Sequence, residues 1–200
     1  MRFPVLCCLL LSLACARAQD VTRVSDVIYA KHDGVALTMD VFTPAKPNGA
    51  AVIKIISGGL NSIHNVIGDG GWPKHGFTTF VVVHGTQPRF HIDEIVADLQ
   101  RSVRFVRANA AKFGIDPNKI GVTGGSAGGH LSLLTTRAPA FGPVVTTAEG
   151  RARAGKELSP LFWISAQTPP TYIVQGDADP LVPDSQARRY LARAKEVGAK

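Results

Sequence analysis

The most informative segment of this 200-residue chain is Gly121-Val122-Thr123-Gly124-Gly125-Ser126-Ala127-Gly128-Gly129-His130. Its residues 124–128 read Gly-x-Ser-x-Gly. A short apolar strand pattern over residues 118–123 precedes the serine, and an apolar helix pattern opens at Leu131. The sequence therefore predicts a strand, a tight turn and a helix, with Ser126 at the apex of the turn.

This turn has the features of a nucleophile-bearing turn. Small residues must flank Ser126, because a Cβ atom beside such a tight bend would clash with the neighbouring backbone. The backbone amide of Ala127 begins the helix and points toward any negative charge that develops near the serine hydroxyl. The alternative is a glycine-rich connection that only packs the helix against the strand.

The segments on either side predict one α/β domain. His32-Asp33-Gly34 is a hairpin turn signal, so the domain starts with a β-hairpin. Residues 138–160 carry no firm element. Predicted strands cover 24–31, 35–43, 50–56, 77–83, 118–123 and 171–175, and predicted helices cover 92–113, the segment after the serine to about 137, and 185–197. Strands that alternate with helices predict a mostly parallel sheet with helices on both faces.

The first 18 residues have the pattern of a signal peptide. Arg2 precedes an apolar run over 3–14, and Ala16-Arg17-Ala18 is a small-x-small cleavage site. We therefore expect a mature domain over 19–200 that is secreted or periplasmic, with a lipoprotein anchored through Cys15 as the weaker alternative. All three cysteines lie in the first 18 residues, so the mature chain would contain no disulfide.

The composition argues against nucleic-acid binding and against a membrane-spanning segment. Loss of Arg2 and Arg17 with the signal peptide would lower the formal net charge of +7 by two. The remaining arginines are spread along the chain without interleaved aromatic residues, which argues against nucleic-acid binding. No apolar run reaches the roughly 20 residues that a membrane span requires. The oligomeric state is left open.

A serine nucleophile needs an acid and oxyanion donors in addition to its own turn. Asp179 is the preferred acid, because it lies deep in the loop 176–183 and is followed by Pro180; Asp177, or a purely turn-forming role for both, is the alternative. Gly58 and Gly59 end a predicted strand, and their amides are candidate oxyanion donors with that of Ala127. A simple strand-ending turn is the alternative there.

The general base is missing from the predicted site. No histidine follows Asp179, and the last histidine, His130, lies one helical turn after the serine, where a structural hydrogen-bonding role fits better. His84 ends a predicted strand and is a candidate to line the pocket, or is only a strand-end residue. The others are expected in loops: His32, His64, His75 and His91.

The chain resembles the α/β-hydrolase superfamily, in particular its secreted acetyl- and feruloyl-esterase-like members of the BD-FAE type. The residues that carry the resemblance are 39–44, Ser57-Gly58-Gly59, 81–85, 115–120, the serine turn through His130, and Gln175 to Pro183. It implies an α/β-hydrolase fold and ester hydrolysis by Ser126, with Asp179 as the acid of a triad and without a cofactor or metal. It also implies small-molecule or carbohydrate ester substrates, including acyl groups on plant polysaccharides.

Three features depart from that family pattern. Ile56-Ser57-Gly58-Gly59 stands where the family usually has His-Gly-Gly-Gly, so the donating amides are not assigned by the resemblance alone. Residues 138–160 show no strand pattern where the family has a strand. The family's final strand and its histidine would follow Lys200, so we expect a partial domain that is incomplete at its C-terminus.

Two other classes of function compete with a serine esterase. A nucleotide-binding oxidoreductase is suggested by Thr123-Gly124-x-x-x-Gly128, but His130 stands where a glycine is expected, and no acidic residue follows about 20 positions later to bind a ribose. A non-catalytic protein on the hydrolase fold stays open, because the members of a catalytic triad act as a unit.

Overall fold

The computed structural model describes residues 20–64, 67–137 and 148–200. The predicted signal peptide over 1–18, including its cleavage site, lies outside these residues. Residues 65–66 and 138–147 also lie outside them, so part of the segment predicted to lack firm structure is not described.

Five strands form one mixed sheet in the order β1-β2-β4-β3-β5. The strands are β1 (Val21–His32), β2 (Val35–Pro44), β3 (Ala51–Ile55), β4 (Thr78–Val82) and β5 (Ile120–Gly124). The pairs β1–β2 and β2–β4 are antiparallel, whereas β3 pairs in parallel with both β4 and β5. Each of these strands was predicted, with its ends within about three residues of those observed.

The predicted hairpin joins β1 to β2. Asp33 has a φ of 50° and Gly34 a φ of 72°, so both turn residues adopt the left-handed conformation that a two-residue hairpin of this twist requires. The register of β1 shifts between Val24 and Val27, where Asp26 takes a φ of 57°. This irregularity bends β1 and turns Asp26 toward Asp40 of β2, whose carboxylate accepts the Asp26 amide at 3.1 Å.

The parallel strands bring three chain ends to one edge of the sheet. Ile55 of β3 pairs with both Val82 of β4 and Gly124 of β5. The residues that follow these strands therefore emerge side by side, and Ser57, His84 and Ser126 all belong to them. Functional groups gather at this carboxyl edge in open α/β sheets.

The main core lies on one face of the sheet. Helices α1 (Ile92–Ala108) and α2 (Ala127–Arg137) contact each other there. Their buried side chains pack on those of the sheet and include Ile95, Leu99, Val106, Leu131 and Leu134.

A smaller cluster on the opposite face consists of Phe42, Ile56 and Val81. The short 3₁₀ helix Trp72–His75 contacts β2 and β4. Within the described residues, α1 and α2 therefore lie on the same face of the sheet, and the 3₁₀ helix lies on the other.

The C-terminal third departs most from the prediction. Helix α3 (Ala148–Glu157) forms where no element was expected, a 3₁₀ helix follows at Pro160–Trp163, and α4 (Ser185–Glu196) forms as predicted. The predicted strand 171–175 was wrong, since that segment joins no sheet. Its side chains of Tyr172 and Val174 are 91% and 83% exposed. A strand requires a ladder of backbone hydrogen bonds to another strand, and among the described residues this segment pairs with no strand; the Thr171 amide donates to the Lys200 carbonyl at 3.2 Å.

Candidate active site

Ser126 occupies a strained turn between β5 and α2. It is exposed and has a φ of 53°, a conformation that costs a non-glycine residue of order 1–3 kcal/mol. Its carbonyl oxygen accepts the amides of Gly129 and His130, at 2.9 and 3.2 Å, which starts the helix directly after the serine. The strand, tight turn and helix predicted around Ser126 are all present.

The glycines around Ser126 have separate steric reasons. A Cβ atom on Gly124 would lie 2.5 Å from the backbone of Gly128, and one on Gly128 would lie 2.7 Å from the carbonyl oxygen of Ile55. Gly125 has open space around it instead. The first and last glycines of the motif therefore let α2 pack closely on its own strand and on the end of β3.

The two candidate oxyanion glycines differ in what their amides do. The Gly58 amide donates to the Asn61 carbonyl at 2.9 Å, and the Asn61 amide donates back to Gly58 at 3.0 Å. This pair closes a turn in which the Gly58 amide is already used. In the described part of the chain, no hydrogen bond from the Gly59 or Ala127 amide to the backbone is present outside regular elements. Of the three predicted donors, Gly59 and Ala127 are therefore the available ones.

Asp179 is held by its own loop. Its Oδ1 accepts the amides of Leu181 and Val182 at 2.9 and 3.0 Å, and its Oδ2 accepts Gln175 Nε2 at 3.2 Å. The amides of Val182 and Leu181 hold the pKa of this exposed carboxyl below its usual value, so it is ionised at neutral pH. The turn-forming role considered from the sequence is thus present, and it orders the carboxylate without neutralising it.

Ser126 and Asp179 line the same cleft, which has a volume of about 1630 Å³. One wall is β5 and α2, and the other is the extended segment 171–176 with part of α4. Asp177 does not line this cleft, which favours Asp179 as the acid. His84, Gly58 and Gly59 do not line it either, so of the predicted site residues the cleft brings together Ser126, Ala127 and Asp179.

None of the six histidines, all within the described residues, hydrogen-bonds the side chain of Ser126 or Asp179. His130 Nε2 donates to the Leu158 carbonyl at 2.7 Å and so ties α2 to the segment after α3. This is the structural role that the sequence favoured for it. The other histidines bond elsewhere, among them His32 to Asp33 and Asp98 and His64 to Asp26.

His84 is buried at the end of β4, with 3% of its surface exposed. Its Nδ1 donates to the Gly85 carbonyl at 2.6 Å, which leaves the lone pair on Nε2. Burial lowers the pKa of His84, against the opposing effect of the Gly85 carbonyl, so the ring is neutral at pH 7. Nε2 is buried and has no hydrogen-bond partner among the described residues.

One group of side chains could geometrically hold a cation. Ligand atoms of Asp26, Asp40 and His64 lie within 4.8 Å of one another. Arg23 Nε, however, donates to Asp40 Oδ2 at 2.6 Å, and His64 Nε2 lies 3.1 Å from Asp26. The positive charge of Arg23 already balances the buried carboxylate, so the cluster acts as an ion-pair network between β1, β2 and the loop after β3.

Among the described residues no helix combines the length and the apolarity that crossing a bilayer requires.

Residues 39–141 and 139–193 match the sequence profile of one known family, BD-FAE, and together make up more than half of the chain. The chain belongs to the BD-FAE family. The matched residues contain both the serine turn and the Asp179 loop.

This BD-FAE member is similar to longer proteins. It is 25% identical to Esterase LipQ of Mycobacterium tuberculosis over 166 residues, which are 62% of this chain and 39% of LipQ. It is 33% identical to an acetylxylan esterase of Xylanibacter ruminicola over 111 residues, which are 54% of this chain and 23% of that protein. The chain therefore spans less than half the length of these curated relatives.

Solved esterase structures share its fold. The apo form of Thermogutta terrifontis esterase 2 superposes with a TM-score of 0.71 at 26% identity, over 88% of this chain and 80% of that one. The butyrate-bound form of the same esterase gives a TM-score of 0.72 at 25% identity over the same shares. The α/β-hydrolase fold predicted for this BD-FAE member is confirmed by this likeness.

Proposed function

We propose that this protein is a serine hydrolase of carboxylic esters, with Ser126 as the nucleophile. The observation that carries the proposal is the turn at Ser126. Its hydroxyl stands exposed at the carboxyl edge of the sheet, and the Ala127 amide next to it has no backbone partner there. A hydroxyl beside a free helix N-terminal amide is the arrangement that stabilises the oxyanion of an acyl-transfer reaction.

The proposed reaction has two steps. The Ser126 hydroxyl attacks the ester carbonyl and gives its proton to a general base, and the amides of Ala127 and Gly59 stabilise the negative oxygen. Collapse of this intermediate returns that proton to the departing alcohol and leaves an acyl group on Ser126, which water then hydrolyses to release the acid and the free serine. Asp179 is ionised and lines the same cleft, so its proposed role is to orient the base that accepts the proton.

The proposed substrates are esters of short acyl groups, including those on plant polysaccharides. The names of two similar proteins support this class: an acetylxylan esterase, and an esterase described in a butyrate-bound state. An open cleft of about 1630 Å³ beside Ser126 has room for a bulky alcohol such as a carbohydrate.

Covalent labelling tests the proposal most directly. A fluorophosphonate probe is incubated with the wild type and with Ser126→Ala, and the modified residue is identified by mass spectrometry. We expect slow labelling at Ser126 only, because the probe needs the nucleophile and the oxyanion amides but no leaving alcohol to protonate. Absence of labelling, or labelling that persists in Ser126→Ala, would contradict the proposal.

A specific observation favours a second candidate, a non-catalytic protein on the hydrolase fold. No histidine side chain hydrogen-bonds the side chain of Ser126 or Asp179 within the described residues, and a serine hydroxyl without a base stays protonated at neutral pH. Under this alternative the protein binds an ester or its acid product in the same cleft, and the fluorophosphonate probe leaves Ser126 unmodified.

A further inference from the structure

The turn after β3 is strained and carries one proposed oxyanion donor. Gly59 has a φ of 57° and Leu60 a φ of 65°, between the hydrogen-bonded residues Gly58 and Asn61. A turn with two successive positive φ values is favourable for glycine, whereas it costs conformational free energy at a leucine such as Leu60. Such a conformation persists only where surrounding contacts enforce it.

One hydroxyl group fixes the end of this turn. Thr86 Oγ1 accepts the Ser62 amide at 3.1 Å and donates to the Ser62 carbonyl at 3.0 Å. A single side chain thus satisfies both backbone groups of Ser62, as a neighbouring strand would. We call this pair of bonds the Ser62–Thr86 clamp. The Gln87 amide adds a longer contact to the Leu60 carbonyl at 3.5 Å.

The clamp is anchored to the core. Gly85, directly before Thr86, lies so close to Phe90 that a Cβ atom there would be 2.4 Å from the ring, and Phe90 is only 6% exposed. On the other side of the turn, Gly128 packs against the Ile55 carbonyl, where β3 ends. The turn is therefore held between the serine turn at its beginning and the Thr86 loop at its end.

We infer that Thr86 is a positioning residue that holds the Gly59 amide in place as an oxyanion donor for Ser126, an inference that rests on the function proposed above. Oxyanion donors stabilise the transition state only when they are fixed before the reaction. Small displacements of such a group reduce the rate without weakening substrate binding in proportion. Thr86 itself touches neither substrate nor the reacting atoms.

Thr86→Val removes the hydroxyl and keeps the shape of the side chain, whereas Thr86→Ser restores the hydroxyl. In the full chain, we expect Thr86→Val to lower kcat for p-nitrophenyl acetate about tenfold while KM stays within about twofold, less than the loss of a whole donor. Thr86→Ser should recover most of the rate. Ser62→Ala is the matched control, because it removes the bond that the His84 amide donates to Ser62 Oγ but leaves both clamp bonds.

Hydrogen exchange separates this inference from the proposed function. The amides of residues 59–62 should exchange several-fold faster in Thr86→Val than in the wild type, and Thr86→Ser should exchange at the wild-type rate. Unchanged exchange in Thr86→Val would overturn the clamp, whether or not the protein is active. Faster exchange with unchanged kcat would overturn its role in the reaction. A wild type without Ser126-dependent hydrolysis would instead refute the proposed function, while the exchange result still decides the clamp.

Discussion

Gly125 and Gly128, both within the Gly-x-Ser-x-Gly motif, differ in the space that surrounds them. Gly128 sits where a Cβ atom would approach the Ile55 carbonyl to 2.7 Å, and Gly125 sits in open space. We expect Gly128→Ala to lower the free energy of unfolding by about 1–3 kcal/mol, because the overlap outweighs the gain in helix propensity. Gly125→Ala should change it by less than about 0.5 kcal/mol.

Urea denaturation of the two variants beside the wild type checks this difference. Both substitutions add the same methyl group three residues apart, so each serves as the control for the other. Equal stability of the two variants would mean that α2 does not pack on the end of β3 as the structure has it.

His32 gives the protein a pH-dependent contact between elements. Its Nδ1 bonds to Asp33 in the hairpin turn and its Nε2 bonds to the buried Asp98 of α1, at 2.6 and 2.9 Å. Arg101 also bonds to Asp98. The bonds to Asp33 and Asp98 raise the pKa of His32 despite partial desolvation. The hairpin and α1 are therefore joined more strongly when His32 is protonated.

The sign of the pH effect follows from that raised pKa. A group with a higher pKa in the folded state stabilises the protein fully below its unfolded pKa, and this contribution is lost as pH rises through the folded value. We therefore expect the stability difference between the wild type and His32→Gln to be larger at about pH 5.5 than at about pH 9. Chemical denaturation at both values measures it. A difference that grows with pH would contradict the assignment.

The segment 171–175 behaves as an exposed connection and not as an inner strand. Since Tyr172 and Val174 are almost fully exposed, we expect Val174→Lys to change the free energy of unfolding by less than about 0.5 kcal/mol. It should also reduce self-association, because an extended apolar segment is prone to pair with other chains.

Val81 of β4 provides the matched control for that experiment. It is fully buried, so Val81→Lys should destabilise the protein severely by placing an unpaired charge in the core. Denaturation measures the stability, and light scattering measures self-association. Severe destabilisation by Val174→Lys would indicate that residues 171–175 do join the sheet in solution.

Hydrolysis by the whole molecule depends on a base that can take the proton of the Ser126 hydroxyl. Since no histidine side chain among the described residues hydrogen-bonds this hydroxyl, we expect residues 19–200 to hydrolyse p-nitrophenyl esters far below ordinary esterase rates. The residual rate should come from the oxyanion amides and from substrate binding. In serine enzymes that lack a triad member, these contributions accelerate hydrolysis about 10³–10⁴-fold over the reaction in water.

Added imidazole tests that explanation. We expect it to increase hydrolysis in the wild type by more than in Ser126→Ala, because a free base can take the serine proton in place of a side chain. The variant corrects for direct attack of imidazole on the ester. Fast, Ser126-dependent turnover without imidazole would show that a base is already present, and His84 and His130 would then be the residues to substitute.

Elements with local causes could be predicted from the sequence alone. Alternating apolar residues and the Asp33-Gly34 turn set the hairpin, apolar periodicity set α1, and glycine spacing set the turn at Ser126. Ser126 and Asp179 line one cleft, although the strand that the carboxyl-edge rule assumed before Asp179 does not form. These features follow from the periodic spacing of apolar side chains and from steric limits on the backbone, both of which act within a few residues.

Which backbone groups are already hydrogen-bonded, and which segments pair with a strand, depends on contacts between distant residues. The Gly58 amide is used within its own turn, and a threonine 24 residues after Ser62 holds the end of that turn. Residues 171–175 have the composition of a strand yet pair with no strand in the part of the chain that is described, and strand formation depends on a partner that the segment's own sequence does not specify. Hydrogen bonds between distant residues depend on how the strands are ordered, and that order was not readable from any single stretch.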